Sequence, residues 1–289
     1  MKLIDRVKII SKRIWQHTIT CQNLSTPDYQ YFFSVIKLEF IRKFKLKAQY
    51  KKYGLVSANI ETLSSCNRTC EFCFNHPRFD QRSQGKMSVS LWKSIIDQLS
   101  EINFSGRIGP HFYNEPLLDK RLPELISYAR MKLPNVWLQL NSNGDYLNEE
   151  ILIKLYNSGI NYFFITNYDD DEKEDLLKLQ KKYPALIKIV NNRDMWRTDR
   201  GGKIFNKNAQ INTPCLRPAS QLVVNWEGKV LLCCMDFYAQ YEYGDLNKEA
   251  LVDIWSNPEF SKIKEQLIKS RQNGLPICKN CDDPGIIPW

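Results

Sequence analysis

The sequence predicts an α/β fold built around a parallel sheet, either a barrel or part of one. Short apolar runs alternate with helical patterns between residues 55 and 190. The alternation stops after Val190, where a polar stretch leads to a β-hairpin pattern. Strands that alternate with helices are typical of βαβ units, whose crossover helices make neighbouring strands parallel.

The elements of the predicted sheet follow one another in a regular order. The expected strands are LVSANIETL, RIGPHF, NVWLQL, INYFFIT and ALIKIV, which are short and rich in β-branched and aromatic residues. The expected helices lie between them, and the first places Leu91, Ile95 and Leu99 on one face. Asp119 is expected to cap the second helix, because short polar side chains accept hydrogen bonds from the first turn. The third helix is expected to start near Asn148 and to end at Gly159.

The region beyond residue 210 has a different pattern. QLVVNWEGKVLLCC predicts a hairpin that turns at Glu227 and Gly228, and two short helices are expected over 249–255 and 258–270. We therefore expect three parts: a basic helical extension over 1–54, a barrel over 55–210 and a C-terminal domain over 211–289.

The composition is that of an ordinary folded protein. The 289 residues are 43% hydrophobic and 25% charged, and no apolar run approaches the ~18 residues needed to cross a bilayer. The first residues, MKLIDRVKIISKRIW, lack the unbroken apolar stretch of a signal peptide. Nine cysteines, an odd number grouped at close spacings, indicate metal or redox chemistry in a reducing compartment. We therefore expect a cytoplasmic protein.

The excess of positive charge is confined to the first fifth of the chain. Residues 1–53 hold twelve Lys or Arg and three Asp or Glu, whereas the other 236 residues hold 29 of each sign. Apolar residues at helical spacing predict two amphipathic helices here. One interpretation has these helices packed on the main domain with their basic faces in water. The other is a surface for an anionic partner, such as a phosphorylated substrate or an acidic membrane, whereas no nucleic-acid motif is present.

The most specific motif is SSCNRTCEFCFNH, which contains Cys66, Cys70 and Cys73 just after the first expected strand. A structural zinc site closed by cysteine needs four ligands, commonly from two C-x2-4-C pairs. Three thiolates at C-x3-C-x2-C spacing can instead hold three corners of a 4Fe–4S cube. The fourth iron is then open to a small molecule.

This C-x3-C-x2-C motif, with Phe72 before its last cysteine, resembles the radical S-adenosylmethionine (SAM) superfamily. The resemblance implies a partial (β/α)6 barrel in which SAM chelates the open iron through its amino and carboxylate groups. It implies reductive cleavage of SAM to a 5′-deoxyadenosyl radical, which abstracts hydrogen from a substrate C–H bond. It also implies an external electron donor such as flavodoxin or ferredoxin.

Three further segments are similar to SAM-binding segments of that superfamily. YNEP, after the second expected strand, resembles the GGEP motif and implies SAM contacts by Asn114, Glu115 and Pro116, although both glycines are replaced. LNSNG resembles the TNG segment and implies a contact by Ser142. Thr166 ends the fourth expected strand, where related enzymes have a hydroxyl that faces SAM. The plainer interpretation of the first two segments is an ordinary turn.

Four more cysteines lie beyond the expected barrel: Cys215, Cys233, Cys278 and Cys281. The C-x2-C pair near the end suits either zinc or an iron–sulfur cluster. The C-x12-G-x4-C spacing before it resembles the auxiliary-cluster segment of SPASM and twitch enzymes, in particular dehydrogenases that oxidise an aminocyclitol. The resemblance implies that the four cysteines ligate one auxiliary 4Fe–4S cluster. Cys234 is the neighbour left out, because adjacent strand residues point to opposite faces.

Two residues near this second group are candidate catalytic residues. One interpretation of Cys234 is a donor of a hydrogen atom to a substrate radical, as in radical SAM epimerases, and the other is a small buried hydrophobe. One interpretation of Asp236 is a base that takes a proton during an oxidation, and the other is a cap of the hairpin.

The leading hypothesis is a radical SAM dehydrogenase or epimerase that acts on a carbon of a sugar-like or aminocyclitol-like small molecule. The auxiliary cluster is the expected electron acceptor if the reaction is an oxidation. The first alternative is a maturase of a ribosomally made peptide, with the basic segment holding an acidic leader. The second alternative, from another class, is a non-enzymatic metal-binding interaction protein.

Overall fold

The computed structural model describes residues 54–79, 82–169, 171, 173–192, 198–204, 214–283 and 285. All of them belong to the larger of the two units into which the chain divides, Lys45–Trp289. The helices predicted for residues 1–53 therefore lie outside the described residues.

The described strands form one mixed sheet. They are β1 Ser57–Ile60, β2 Arg107–Gly109, β3 Trp137–Ser142, β4 Tyr162–Asn167, β5 Ile187–Asn191, β6 Gln221–Val224, β7 Lys229–Leu231 and β8 Glu242–Asp245. Their order across the sheet is β5-β4-β3-β2-β1-β6-β7-β8. Pairing is parallel from β5 through to β6 and antiparallel between β6, β7 and β8. The predicted α/β class with a parallel sheet is confirmed.

Helices connect the parallel strands and follow the hairpin. Those in the described residues are α1 Val89–Glu101, α2 Leu122–Lys132, α3 Glu149–Ser158, α4 Glu174–Lys182, α5 Arg217–Ser220, α6 Leu251–Ser256, α7 Pro258–Lys269 and α8 Pro276–Lys279, with short 3-10 turns at Pro116–Leu118 and Arg271–Asn273. Within that same set, no helix is long and apolar enough to cross a membrane.

The helix ends agree with the sequence in one predicted case and differ in the other. α3 starts next to Asn148 and ends at Gly159 as expected, and the Asn148 side chain caps it by accepting a hydrogen bond from the Ile151 amide at 2.9 Å. The prediction that Asp119 caps α2 is wrong. The residue at the cap is Arg121, and the Asp119 carboxylate instead accepts the Arg121 amide (3.1 Å) and pairs with its guanidinium (2.7 Å). A three-residue turn just before Asp119 displaces the start of the helix.

The C-terminal region is continuous with the predicted barrel, because β6 pairs with β1 and not with β5. The register places Ser57 opposite Gln221 and Ile60 opposite Val224. The hairpin of β6 and β7 turns where the sequence predicts, with Gly228 at a φ of 90° that favours glycine. One sheet thus spans both regions, while the boundaries at 54 and 210 stay predictions.

The two faces of the sheet differ in polarity, because successive strand residues point to opposite sides. Ala58 and Ile60 of β1 belong to the hydrophobic core, which includes the inner faces of α1 and α2. The other face of the same strand carries Ser57 and Asn59, both buried. The face of β1 that lies opposite the core is therefore polar, and we call it the inner face.

Candidate active site at the carboxyl ends of the strands

The loop after β1 carries the three-cysteine motif. Cys66, Cys70 and Cys73 are half-buried thiols, and a turn is closed where the Cys73 amide donates to the Cys70 carbonyl at 2.9 Å. Burial raises the pKa of the Cys66 thiol to about 11 and also raises that of Cys70. Thiols with raised pKa values become thiolates when a cationic metal centre replaces their protons, so the donor set fits an iron–sulfur cluster.

A salt-bridge network fixes this loop to the ends of two other strands. Arg68, between the first two cysteines, pairs with Asp145 after β3 at 2.6 Å and with Asp169 after β4 at 2.7 Å. Lys173 contacts the same two carboxylates. Partial burial opposes the charged form of Asp145, but hydrogen bonds from Arg68 and Lys173 lower its pKa to about 2. Sequence reasoning missed this network, and its only signal was a lone arginine within the motif.

The aromatic residue of the motif packs on the end of β4. Phe72 stacks on Tyr168 with ring centroids 5.7 Å apart. The Tyr168 phenol shares a hydrogen bond with Thr166, and burial raises its pKa to about 12. Two residues expected to contact SAM, Phe72 and Thr166, are therefore joined through Tyr168.

The YNEP and LNSNG segments meet beside the cysteine loop. Glu115 is 2% exposed, and its carboxylate accepts hydrogen bonds from the Ser142 hydroxyl and the Asn143 amide, both at 2.8 Å. Burial raises the pKa of Glu115. The Glu115 amide donates to the Ser65 carbonyl at 3.0 Å, next to the first cysteine. Asn143 also approaches that cysteine, with its amide nitrogen 4.0 Å from the Cys66 sulfur.

The other two residues of YNEP complete the turn. The Asn114 amide oxygen accepts the Phe112 amide at 2.9 Å, while its buried Nδ2 has no partner among the described residues. Pro116 begins the 3-10 turn that follows. The residues expected to contact SAM thus surround one end of the sheet.

An aromatic cluster connects the cysteine loop to the turn after β7. Phe74 is fully buried and stacks on Phe237 with centroids 4.6 Å apart. Tyr113 packs edge-on against both rings, and its hydroxyl donates to the Cys234 carbonyl at 2.6 Å. The cluster is a buried apolar contact between the cysteine loop and the turn that holds Cys234.

The four distant cysteines line one cavity. Cys215, Cys233, Cys278 and Cys281 are all on its wall, and Cys234 is not. Cys233 and Cys234 lie beyond the end of β7 at Leu231, so the strand pleating invoked in the sequence argument does not separate them. A turn in the backbone does. Burial raises the pKa of Cys278 to about 11 and that of Cys281 to about 12.

The four thiols of the second group line a cavity and do not converge on a point. No three His, Cys, Asp or Glu side chains of the described residues are close enough together to hold a single metal ion. Cysteines that line a cavity suit a cube, whose four irons are ligated at separate corners.

Two arginines line the same cavity, and one of them, Arg271, is fully buried. Arg217 forms a bidentate pair with Asp283, at 2.6 and 3.0 Å. Arg271 is 1% exposed and donates to the carbonyls of Cys281 and Asp283, at 3.1 and 2.5 Å. Both guanidinium groups favour the thiolate form of Cys215, although burial has the larger effect on its pKa and raises it. No sequence motif indicated them.

The two candidate catalytic residues lie in the turn after β7. Asp236 is 1% exposed, and its two carboxylate oxygens accept the Gln240 and Tyr241 amides at 3.0 Å each. Burial raises the pKa of Asp236. Hydrogen bonds from backbone amides to a carboxylate are typical of a residue that caps a turn. Arg200, which the sequence reasoning missed, lies near Cys234, with its guanidinium 5.5 Å from the Tyr113 ring centre.

Family models agree with this division of the site. The radical SAM superfamily model matches residues 60–191, and the SPASM iron–sulfur cluster-binding domain matches residues 215–282. The described cysteines of the two groups fall within these two matches.

Known proteins give the same result. The S-adenosyl-L-methionine-dependent 2-deoxy-scyllo-inosamine dehydrogenase of Niallia circulans is 30% identical over 236 residues, 78% of this chain and 92% of its own length. The crystal structure of BtrN in complex with AdoMet and 2-DOIA is matched with a TM-score of 0.71 at 30% identity, over 80% of this chain and 94% of that one. A PqqA peptide cyclase of Xanthomonas oryzae is 28% identical over 117 residues, 40% of this chain and 30% of its own.

The chain belongs to the radical SAM superfamily. Within it, the chain is one of the enzymes that carry a C-terminal SPASM iron–sulfur domain. Its cofactors are SAM, a 4Fe–4S cluster and auxiliary iron–sulfur. The predicted family, fold and cofactors are confirmed, and the hypothesis of a non-enzymatic interaction protein is wrong.

Proposed function

We propose that the protein is a SAM-dependent dehydrogenase that oxidises a secondary alcohol of a hydroxylated, amine-bearing ring. The observation that carries the proposal is the match to the aminocyclitol dehydrogenase over 92% of that enzyme's length. Family models also match both regions that hold the cysteine groups, residues 60–191 and 215–282, and not only the barrel. A likeness confined to the barrel would support only the superfamily.

We assign Cys66, Cys70 and Cys73 to the SAM-binding cluster. We assign the auxiliary cluster to the four cavity cysteines, Cys215, Cys233, Cys278 and Cys281. When bound, these cofactors supply hydrogen-atom abstraction from a C–H bond and a store for the electron that an oxidation releases. The electron donor for the first cluster is proposed to be a flavodoxin or ferredoxin, and the thiol chemistry favours a cytoplasmic location.

The protein's own residues orient and enclose the reacting groups. Arg68 holds the cysteine loop against Asp145 and Asp169, so its shape is fixed from two neighbouring strands. Glu115 holds the LNSNG turn beside the loop through Ser142 and Asn143, and the turn's exposed side is proposed to contact SAM together with Asn114, Pro116, Phe72 and Thr166.

The aromatic cluster closes the space toward the second group of cysteines. Phe74, Tyr113 and Phe237 are 0%, 8% and 1% exposed. A radical in water is lost to side reactions, so a dry wall at this position protects the reaction.

The experiment is a product analysis with isotope labelling. The reconstituted protein is supplied with SAM, a reductant and 2-deoxy-scyllo-inosamine carrying deuterium at the carbinol carbon. A dehydrogenase transfers deuterium to 5′-deoxyadenosine and forms a ketone two mass units lighter than unlabelled substrate. With unlabelled substrate, an epimerase forms a product that has the same mass as the substrate and one inverted centre. No deuterium transfer from this compound would contradict the proposal.

A peptide substrate is the second candidate function. It is favoured by the likeness to the PqqA peptide cyclase, which covers 40% of this chain. The basic segment over residues 1–53 suits an acidic leader peptide, or equally the surface of an acidic membrane. Removing residues 1–50 should abolish turnover of a peptide and leave turnover of the aminocyclitol unchanged, which separates the two candidates.

A further inference from the structure

The inner face of the sheet carries buried polar atoms without partners. Ser57 and Asn59 of β1, Gln221 of β6 and His111 after β2 are 0%, 9%, 2% and 8% exposed. Ser57 Oγ, Asn59 Oδ1, Gln221 Oε1 and His111 Nδ1 have no hydrogen-bond partner among the described residues. Folded proteins satisfy nearly all buried polar atoms, so four such atoms call for a ligand or ordered water.

These four side chains lie together on adjacent strands. The register pairs Ser57 with Gln221, and pairs Asn59 with Gly109 of β2. The His111 ring lies over Gly109, since a Cβ at that glycine would meet the ring carbon Cε1 at 2.4 Å. The absence of a side chain at Gly109 thus makes room for the imidazole beside Asn59. We call Ser57, Asn59, His111 and Gln221 the inner polar patch.

The patch begins at the catalytic end of the sheet. Asn59 is one residue before the end of β1, and His111 follows the end of β2 by two residues. The cysteine loop continues from the same end of β1. Ser57 and Gln221 lie two residues deeper, so the patch runs from the rim of the site into the barrel.

The unpartnered atoms of the inner polar patch favour a ligand that donates hydrogen bonds. The free atoms of Asn59 and Gln221 are carbonyl oxygens, which only accept. Burial, with a smaller effect of Arg107, lowers the pKa of His111 to about 3, so the ring is neutral at neutral pH. Arg107 is the register partner of Ser57 and places a positive charge beside the patch. That charge disfavours an ammonium group, and hydroxyl groups remain as the matching donors.

We propose that the inner polar patch binds hydroxyl groups of the substrate and makes the enzyme selective for a polyhydroxylated ring. The proposal rests on the proposed function, because it names how the substrate of the same site is recognised. An analogue that lacks the hydroxyl group would leave these buried acceptors without a hydrogen bond, and its binding would be weaker. This effect gives more selectivity than the fit of apolar groups does.

The test measures binding apart from catalysis. The holoenzyme with both clusters and SAM, without reductant, is titrated calorimetrically with 2-deoxy-scyllo-inosamine. Asn59→Leu and Gln221→Met remove one acceptor each at similar volume, and each should raise the Kd about tenfold, the loss of one buried hydrogen bond.

The matched control is Gln98→Met on α1. The Gln98 carbonyl oxygen accepts the Leu251 amide at 2.6 Å, on the helix side of the sheet. This variant loses a partnered amide away from the patch, so its affinity should equal that of the wild type. Asn59→Leu should unfold at the wild-type temperature or above it, because an unpartnered buried acceptor is replaced by an apolar group.

The outcomes separate this proposal from the proposed function. Equal affinity of the wild type, Asn59→Leu and Gln221→Met would overturn the proposal that the patch binds substrate. The patch would then be a polar surface that is hydrated by water. A wild type that binds the compound without oxidising it would contradict the proposed function, while the affinity comparison still decides the patch. A wild type that does not bind the compound at all would overturn both.

Discussion

The two groups of cysteines are assembled in opposite ways. The first group lies within one loop after β1, and its three thiols are close in the chain before any folding. The second group is contributed by the segment just before α5, the turn after β7 and the segment around α8, and becomes a cavity only when these meet. The first has three cysteines and the second has four, so the proposed assignment leaves one cluster open to a further ligand and closes the other.

The electrostatic support of the two groups also differs. Arg68 of the first group is 20% exposed and pairs with carboxylates near the surface. Arg217 of the second group is 12% exposed and Arg271 is fully buried, and both belong to the wall that the thiols line. A charge in a dry wall acts on its neighbours more strongly than a charge near water. We therefore expect Arg68 to fix the geometry of the cysteine loop, and Arg217 and Arg271 to influence the reduction potential of the second cluster.

The largest expected effect separates the roles of the two groups. Cys66→Ser should abolish SAM cleavage and reduce iron from about eight to about four per chain, because one 4Fe–4S cluster is lost. Cys278→Ser should reduce iron equally but keep SAM cleavage without substrate. Iron analysis and quantification of 5′-deoxyadenosine check both. SAM cleavage that survives Cys66→Ser would contradict the assignment of the open cluster.

The next effect tests which of two adjacent cysteines belongs to the cavity. Cys233→Ser should reduce iron to about four per chain, whereas Cys234→Ser should keep about eight. The neighbouring substitution serves as the control, since both residues lie in the same turn. Equal iron loss in the two variants would mean that the turn, and not one thiol, holds the cluster.

The third effect tests the buried charge of the second group. Arg217→Gln removes a cation beside the cavity and leaves the buried Asp283 carboxylate unpaired, so adding an electron to the cluster becomes less favourable. We expect a fall of roughly 60 mV in its reduction potential, about a tenfold change for one electron. Arg217→Lys, which keeps the charge, should shift it less. A redox titration followed by electron paramagnetic resonance measures both, and an unchanged potential would contradict the prediction.

The fourth effect is confined to the first loop. Arg68→Gln should make a chelator remove iron from the first cluster several-fold faster, with the second cluster unaffected, because the loop loses its hold on Asp145 and Asp169. In the iron-free protein, the lowered pKa of Asp145 means that its contribution is complete above about pH 4 and is lost as pH falls toward 2. Asp145→Asn should remove this part of the acid sensitivity.

The smallest effect concerns Asp236. Both of its oxygens accept backbone hydrogen bonds, so we expect Asp236→Asn to lower turnover by less than about tenfold, as a weakened cap. Loss of a general base would cost about 10²-fold or more and would change the pH profile of turnover. A large loss with a shifted profile would restore the catalytic interpretation.

Local patterns in the sequence determined most of the architecture. The strands from β1 to β5 and the helices between them follow from periodicity, because the spacing of apolar residues depends on the nearest turns of the chain. The Asn148 cap is local in the same sense. The three-cysteine loop was also predictable, since its ligands are neighbours in the chain.

Only the tertiary structure decided the contacts between distant segments. The pairing of β6 with β1, the network of Arg68, the arginines of the second cavity and the inner polar patch all join residues far apart in the chain. Asp119 shows the same limit at short range, because a 3-10 turn moved the helix start past it. The spacing of residues in the sequence determines interactions between neighbours in the chain. Burial and charge pairing depend instead on which strands lie side by side, and that is decided only when the sheet forms.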